Sequence, residues 1–502
     1  MTFMRILFIY PNLYAQIGFN YGVAFLSAVL KQQGHETALL NVNDKLGYPL
    51  DLERIWRDVR KFDPDIVGFS IVTNQYQYAA DIARSLRERT NVPMVAGGVH
   101  VTMAPEEVLS DGAFDYACVG EGEHALAELV ERIADGQPTD DIPNIWARKN
   151  GELVRNPVRP FVSVTELPPK NYDVFDFQHM TDAKDGWVGV MASRGCPFRC
   201  TYCFNHKIVE LYQRDTGLKG RKLNYVRHHP VEDVIAELKM LVGKYARVKM
   251  FIFDDDLFTY DRTYLLEFAR RYRNEMDVPF VCNAHPRVFD DEMAQALKDA
   301  GCALLKFGLE SGSESVRRNI LRRHMSNEDI ARAFETAHRC GLDTSAFVMF
   351  GFPHETIEDI NMTLDLLATV SPTRMRWAIF FPYVNTEAYQ ISADGGFIDF
   401  DKMRKLSSFM YESCLDFGAE QNLFIKKLQK TFPWQVNARL GGDCGHVYGS
   451  LVDAVDKLAE QDFALVADQI ISFDGALSRV LSAAGVPHYE VKYNEFMAVK
   501  AP

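Results

Sequence analysis

Three scarcities narrow the reading of this sequence. No uninterrupted apolar stretch approaches the ~20 residues that a bilayer-spanning helix requires, so no membrane span is expected. No long run of Lys or Arg occurs in a chain of net charge −13, so a nucleic-acid polyanion is not an expected partner. Cysteine is sparse, with nine in 502 residues, and the chain shows no secretion signal. That combination argues for reduced thiols and a cytosolic location. The opening "MTFMRILFIYPN" is apolar but lacks a basic leader and a small-residue cleavage site, and it reads as a first β-strand. What is plentiful is ordinary: 47% hydrophobic and 25% charged residues, as in a globular protein long enough for two or three domains.

Residues 1–145 alternate short β-branched runs with amphipathic ones. "MRILFIY", "TALLNV", "DIVGFSIV", "VPMVAGG" and "FDYACVG" read as buried parallel strands. Between them lie the helical patterns "GVAFLSAVLKQQG", with Gly34 as a stop, and "YQYAADIARSLRERT". Repeated strand–helix units imply right-handed crossovers and an α/β fold with a doubly wound sheet. Ligands of such sheets sit beyond the strand carboxyl ends, here Pro11–Asn12, Asn41–Gly47, Ser70–Asn74, Gly97–His100 and Gly120–Glu123. Gly97 and Gly98 permit close backbone approach to a large ligand, and Ser70 and Thr73 supply hydroxyls. An empty or nucleotide-binding sheet is the plainer alternative.

"GGVH" (97–100) followed by "VGEGE" (119–123) resembles the cobalamin-binding domain that precedes the catalytic barrel in one large enzyme class. The resemblance implies cobalamin contacts from Asn12, Ser70, Thr73, Gly97, Gly98, Val99, His100, Gly120 and Glu121. One departure stands out. Many such domains carry Asp-x-His-x-x-Gly, whose His coordinates cobalt; aligned on Gly47, those positions hold Val42 and Asp44. His35 and His100 lack the spacing, so no protein imidazole is expected on cobalt.

"ASRGCPFRCTYCF" (192–204) places Cys196, Cys200 and Cys203 within eight positions. Three uses compete for them. Structural zinc wants four ligands, usually in two close pairs, and no second pair follows. A disulfide is out of place with reduced thiols and leaves one cysteine over. A four-iron cluster held by three thiolates leaves one iron open for a further ligand. Cys-x-x-x-Cys-x-x-Cys, with Tyr202 before the last cysteine, resembles the radical S-adenosylmethionine superfamily. The resemblance implies a [4Fe–4S] cluster on these cysteines, whose open iron chelates S-adenosylmethionine and delivers the electron that releases a 5′-deoxyadenosyl radical.

The flanking sequence agrees. "WVGVMAS", "VKMFIFDDD", "FVCNAHPR", "ALLKFGLES", "TSAFVMFGFP" and "RMRWAIFFPY" read as six strands. Helical patterns such as "HPVEDVIAELKMLVGKY", "DDEMAQALKDAG" and "NEDIARAFETAHRCG" separate them. Six β/α units make a partial (β/α)6 barrel with its site at the strand carboxyl ends. By resemblance, Glu310 and Ser311 in "GLESGS" meet the ribose hydroxyls and the methionyl amino group. Val348, Phe350 and Gly351 in "VMFGFPHET" hold adenine. Asp254 lies where the cofactor's amino group is met, and Arg287 is a candidate partner for its carboxylate, weighed against a surface salt bridge. Asp255 and Asp256 read as caps or supporting residues.

Cys118, Cys282, Cys302 and Cys340 fall inside apolar patterns and read as small core residues. A Pro-rich connector with a small hairpin at "KNGE" spans 146–185, the barrel 186–390, and a helical region 391–502. That last region, with helical patterns at "DKMRKLSSFMYESCLDFGAEQNLFIKKLQKTF" and "DAVDKLAEQDFALVADQIISFDGALSRVLSAAG", is expected to cover the barrel and shape the substrate pocket. "RLGGDCGHVYG" (439–449) reads as a flexible connection between its helices and as its best candidate for substrate contact.

The resemblance, over roughly residues 4–385, implies a methyltransferase acting on an unactivated carbon or a phosphinate phosphorus of a small molecule. One S-adenosylmethionine methylates cob(I)alamin, a second yields the radical, and the substrate radical takes the methyl group from methylcobalamin. A low-potential electron donor of flavodoxin or ferredoxin type is implied as partner. The runner-up is a non-methylating cyclase or oxidative rearrangement enzyme of the same architecture, and a non-enzymatic cobalamin-binding sensor ranks third.

Overall fold

The computed structural model describes residues 2–110, 112–149, 151–406 and 410–501. They form two compact units, Met1–Pro197 with Phe204–Asp256, and Phe198–Cys203 with Leu257–Pro502.

In the first unit the five expected strands are present: β1 (Arg5–Pro11), β2 (Glu36–Val42), β3 (Ile66–Ser70), β4 (Met94–Gly97) and β5 (Tyr116–Cys118). They pair in parallel in the order β2-β1-β3-β4-β5. The order reverses at β1 and β3, which opens a crevice at their carboxyl ends. β-branched and aliphatic side chains dictate this arrangement. Leu7, Ile9, Val67, Phe69, Met94 and Ala96 are all buried in one apolar cluster, together with Ile82 and Leu86 of the helix Tyr76–Arg87. Burying each large aliphatic side chain contributes roughly 1.5–3 kcal/mol. The helix after β1, Tyr21–Gln32, is capped by the Asn20 side chain, which accepts from Val23 N, and the chain leaves it through Gly34 at φ +89°.

β6 (Ile145–Lys149) and β7 (Glu152–Val154) extend the sheet antiparallel as the expected hairpin, closing at the Lys149–Glu152 pair. Asn150 of that turn lies outside the described residues. Still in this unit, β8 (Trp187–Val190) and β9 (Ser193–Arg194) lead toward the cysteine motif. β10 (Arg227–His228) pairs antiparallel with β9, and β11 (Met250–Phe253) pairs parallel with β8.

The second unit holds β12 (Phe280–Ala284), β13 (Cys302–Glu310), β14 (Asp343–Phe350) and β15 (Arg374–Ile379), which pair in parallel in chain order. With β8 and β11 they complete the six strands read from the sequence. The intervening helices Asn327–Arg339 and Ile357–Val370 each begin at a capping box, Ser326 with Asp329 and Thr356 with Asp359.

The carboxyl-terminal region is helical, with two departures from expectation. It ends in β16 (His488–Val491) and β17 (Met497–Ala501); β17 pairs antiparallel with both β15 and β16. "RLGGDCGHVYG" is not a flexible connection. Only Leu440–Gly442 breaks the chain direction, Gly441 at φ +74° and Gly442 at φ +59°, and a helix runs Gly442–Asp456. Buried Cys444 and Tyr448 pack with Trp434, which outweighs the low helix propensity of Gly445 and Gly449. The first helical pattern of this region resolves into Phe400–Lys405 and Ala419–Arg439, and its residues 407–409 lie outside the described set. Cys118, Cys282 and Cys302 are buried as expected, but Cys340 is half-buried because it caps the end of a helix instead of facing the core. Among the described residues no helix is long and apolar enough to cross a membrane.

Candidate active site

The motif loop of the second unit is anchored through Thr201. Its N–H donates to Leu321 O at 3.1 Å, its hydroxyl to Ile320 O at 2.6 Å, and its carbonyl accepts from Ala388 N at 3.0 Å. Phe198 stacks on His285 at 4.1 Å, the ring planes 12° apart. Burial, with Arg323 and Arg287 nearby, pushes the His285 imidazole down to about 3, so it presents a neutral ring to Phe198. Cys200 is buried and Cys203 half-buried, and the Cys203 N–H donates to Cys200 O at 3.1 Å. Cys196, in the first unit, is half-buried, and no cysteine forms a disulfide.

Arg323 is the residue that sequence reading missed. Its Nη1 lies 3.7 Å from Cys200 Sγ and 3.3 Å from Tyr202 Oη, and its Nη2 donates to Gly308 O at 2.6 Å. The Glu310 carboxylate stands 3.9 Å from Nη1. Glu310 ends β13 just past a register shift at Gly308, and its backbone holds φ +65°, a left-handed conformation that non-glycine residues adopt at a cost. Burial pushes the Glu310 carboxyl above its ordinary value, against the pull of Arg323 and of the hydrogen bond from Tyr202. The Tyr202 phenol is pushed far up by burial and keeps its proton.

The other cofactor candidates of this unit are placed differently. Ser311 is fully buried, 3.4 Å from the Thr363 hydroxyl and accepting from Ser313 N at 3.3 Å. Val348 and Phe350 are buried, and Phe350 stacks on Phe432 of the long helix Ala419–Arg439. Gly351, at φ +80°, donates its N–H to Glu355 Oε2 at 2.6 Å, and Phe352 N donates to the same oxygen at 3.1 Å. Arg287 is exposed and reaches His324 O at 3.4 Å.

The first unit carries two cavities at the carboxyl ends of its strands. One of about 300 Å³ lies against Phe8, Gly68, Ser70, Val95, Gly97, Gly98, Cys118, Gly120 and Gly122. Glycine makes this space: a Cβ on Gly68 would fall 3.0 Å from the Phe8 ring. The second, of about 320 Å³, is lined by Val99, Thr102, Phe161, Ser193, Asn205, Tyr212 and Asp254, among others. The two share Gly98, Gly120, Glu121, Met191 and Arg194. Glu121 is held by Arg194 Nη1 at 3.0 Å, Arg227 Nη2 at 2.7 Å and Val162 N at 2.8 Å. Burial opposes its charge, but the two arginines outweigh burial and keep its carboxyl below the ordinary value. Asn12, Thr73 and His100 line neither cavity. His100 is buried against Tyr76, ring centroids 4.4 Å apart, and burial pushes it down to about 4.

The acidic run after β11 splits by role. Asp254 is exposed, lines the second cavity and accepts from Tyr21 Oη at 2.7 Å. Asp255 is fully buried, accepts from Ala192 N and the Ser193 hydroxyl, and is pushed up to about 6 by burial. Asp256 accepts from Asn205 Nδ2 at 3.1 Å. Asp255 and Asp256 therefore brace the segments before and after the motif, as the sequence suggested.

These arrangements fit the expected cofactors. Cobalamin is far larger than 300 Å³, so the glycine-lined cavity suits one arm of it, with an apolar wall and the Ser70 hydroxyl. Among the described residues no three His, Cys, Asp or Glu side chains converge on a single point as for one metal ion. A four-iron cluster gives each thiolate its own iron, so its ligands need not converge.

Comparison with known proteins agrees with both readings. The B12 binding domain matches residues 13–130, and the Radical SAM superfamily matches residues 190–367. An uncharacterized methyltransferase of Pyrococcus horikoshii is 29% identical over 403 residues, covering 78% of this chain and 83% of its own. The anaerobic magnesium-protoporphyrin IX monomethyl ester cyclase of Rubrivivax gelatinosus is 24% identical over 435 residues, covering 83% and 75%. Among solved structures, the cobalamin-dependent S-adenosylmethionine radical enzyme OxsB, with aqua-cobalamin and S-adenosylmethionine bound, superposes with a TM-score of 0.67. It is 16% identical, with 96% of this chain and 75% of that one covered, and so shares the fold. The chain thus carries a B12 binding domain ahead of a radical S-adenosylmethionine domain, and its three motif cysteines, Cys196, Cys200 and Cys203, fall inside the second match.

Proposed function

We propose that this enzyme methylates an unactivated carbon, or a phosphinate phosphorus, of a small-molecule substrate. The observation that carries the reading is the 29% identity to an uncharacterized methyltransferase across 78% of the chain. When bound, the cluster supplies the electron that cleaves S-adenosylmethionine, and cobalamin serves as methyl carrier. Cys196, Cys200 and Cys203 are the cluster thiolates. Glu310 and Tyr202 hold the polar end of S-adenosylmethionine, Gly351 and Val348 its adenine, and Asp254 offers a further carboxylate for its amino group. Gly97, Gly98 and Gly120 leave room for cobalamin, while Glu121, fixed by Arg194 and Arg227, keeps the rim of both cavities rigid. Catalysis by such a protein is mostly orientation and exclusion of water.

The reading divides the chain functionally into 1–145, 146–185, 186–390 and 391–502, with the last segment shaping the substrate pocket. It places the enzyme in the cytosol with a flavodoxin- or ferredoxin-type electron donor and without a nucleic-acid partner. A second reading, ring closure without methyl transfer, is supported by the 24% identity to the magnesium-protoporphyrin cyclase. Anaerobic reconstitution with methyl-labelled S-adenosylmethionine separates the two. Methyl transfer yields both S-adenosylhomocysteine and 5′-deoxyadenosine. Formation of 5′-deoxyadenosine alone would overturn it in favour of cyclisation.

A further inference from the structure

The geometry points to Arg323 as a positioning residue that couples the cluster-binding Cys200 to the Glu310 carboxylate, so that one guanidinium influences both the cluster's reduction potential and the affinity for S-adenosylmethionine. The proposal rests on the cofactor reading above and adds a residue that reading does not use.

Arg323 reaches this position through a local device. The chain after β13 forms a short π-helical turn at Val316–Ile320, then passes through Arg322 at φ +51°. Arg317, fully buried, donates to Ser311 O, Met325 O and Asn327 Oδ1 and so holds the two ends of this segment together. Arg323 N donates to Arg317 O at 2.7 Å, which fixes the backbone from which the guanidinium projects.

The guanidinium then meets four groups at once. Nη1 faces Cys200 Sγ at 3.7 Å and Tyr202 Oη at 3.3 Å, Nη2 bonds Gly308 O at 2.6 Å, and Glu310 Oε1 lies 3.9 Å from Nη1. The Arg323 side chain is 9% exposed and that of Glu310 12%, so solvent screens the pair weakly. Gly308 leaves room for both: a Cβ there would fall 2.5 Å from Glu310 Oε1 and 3.1 Å from Arg323 Nη2. A rigid planar fork can hold a carbonyl and face a sulfur together; an ammonium on a flexible stem cannot reproduce that geometry.

Two consequences follow from the charge. Hydrogen bonds to cluster sulfurs and net charge around the cluster set its potential, and an N–H donor at a ligand sulfur favours the reduced form. The same cation opposes the burial that raises the Glu310 carboxyl and so favours its ionised form, the form that pairs with a cationic amino group. Arg323 thus acts on the electron acceptor and on the cofactor that receives the electron, through contacts with one residue for each.

The test uses the full chain, reconstituted anaerobically, with the cluster potential measured by paramagnetic-resonance titration before S-adenosylmethionine is added. Arg323→Met should move the midpoint to more negative values, with Arg323→Lys intermediate, and lower S-adenosylmethionine affinity by about tenfold. Should Arg323→Met fail to assemble, Glu310→Gln probes the coupling from the far end. Removing a negative charge that lies 3.9 Å from the guanidinium should move the midpoint upward, although Arg323 stands between Glu310 and Cys200. Variants with full iron content and an unshifted midpoint would overturn the proposal while leaving the cofactor reading intact. A wild-type chain that assembles no cluster would overturn both.

Discussion

The Gly351 N–H donates to Glu355 Oε2 at 2.6 Å, while Glu355 Oε1, fully buried, has no hydrogen-bond partner among the described residues. Burial pushes this carboxyl from an ordinary 4.5 up to about 8, against the pull of the Phe352 and Gly351 N–H groups. An acid with a raised folded pKa binds its proton more tightly when folded. The stability it adds is complete below about 4.5 and is lost as pH rises through about 8. Glu355→Gln mimics the protonated form, because its oxygen still accepts from both N–H groups. The variant should match the wild type near the lower end of that window and exceed it above the upper end by roughly 4–5 kcal/mol in urea unfolding. Parallel stability curves for the two proteins would contradict this.

Glycine at two adjacent positions should serve different ends. A Cβ on Gly97 would make only ordinary contacts, 3.7 Å from Cys118 Cβ and from Phe69 O, yet the residue lines the smaller cavity. Gly97→Leu should keep the fold and lower cobalamin affinity by about tenfold or more, since a lost 1.4 kcal/mol is tenfold. Gly98 sits at φ +104°, and a Cβ there would fall 2.6 Å from Ile71 O. Gly98→Ala should therefore cost about 1–3 kcal/mol of stability as well as cobalamin binding. Equal unfolding midpoints for the two variants would refute the distinction.

No histidine of this chain is expected on cobalt. His100 is buried against Tyr76, and both its ring nitrogens lack a hydrogen-bond partner among the described residues without lining either cavity. The paramagnetic resonance spectrum of the cob(II)alamin form should lack splitting from a protein axial nitrogen. A splitting that disappears in His100→Ala or His35→Ala would show the expectation to be wrong.

Tyr21 and Asp254 offer a test of the acidic run. Tyr21→Phe removes the 2.7 Å hydrogen bond and should cost about 1 kcal/mol of stability while leaving S-adenosylmethionine affinity nearly unchanged. On the proposal that Asp254 meets the cofactor's amino group, Asp254→Asn should instead lower that affinity by about tenfold. Identical binding curves for Asp254→Asn and wild type would remove Asp254 from the site.

The strands were legible because β-branched runs bounded by Gly and Asn have few other uses, and β1 to β5 fall where those runs lie. The cysteine motif was legible because its spacing is specific. Arg323 was not: nothing in "LRRHMS" distinguishes it from Arg322, and only the π-turn and a left-handed Arg322 deliver one guanidinium to Cys200 while the other pairs with Glu387 on the surface. Glu355 was hidden for a similar reason, since a Glu after Pro-His reads as a helix-start acid until burial around it is known. The helix Gly442–Asp456 was missed because four glycines suggest a loop, whereas Trp434, Cys444 and Tyr448 supply packing that local propensity does not record.

The cysteine motif carries the account, and replacing Cys196, Cys200 and Cys203 together by Ala tests it most directly. After anaerobic reconstitution and reduction, the wild-type chain should show the low-temperature paramagnetic signal of a reduced four-iron cluster and cleave S-adenosylmethionine to 5′-deoxyadenosine. The triple variant should show neither while still binding cobalamin. A full cluster signal in the triple variant would contradict the assignment of the three thiolates and the radical chemistry built on them.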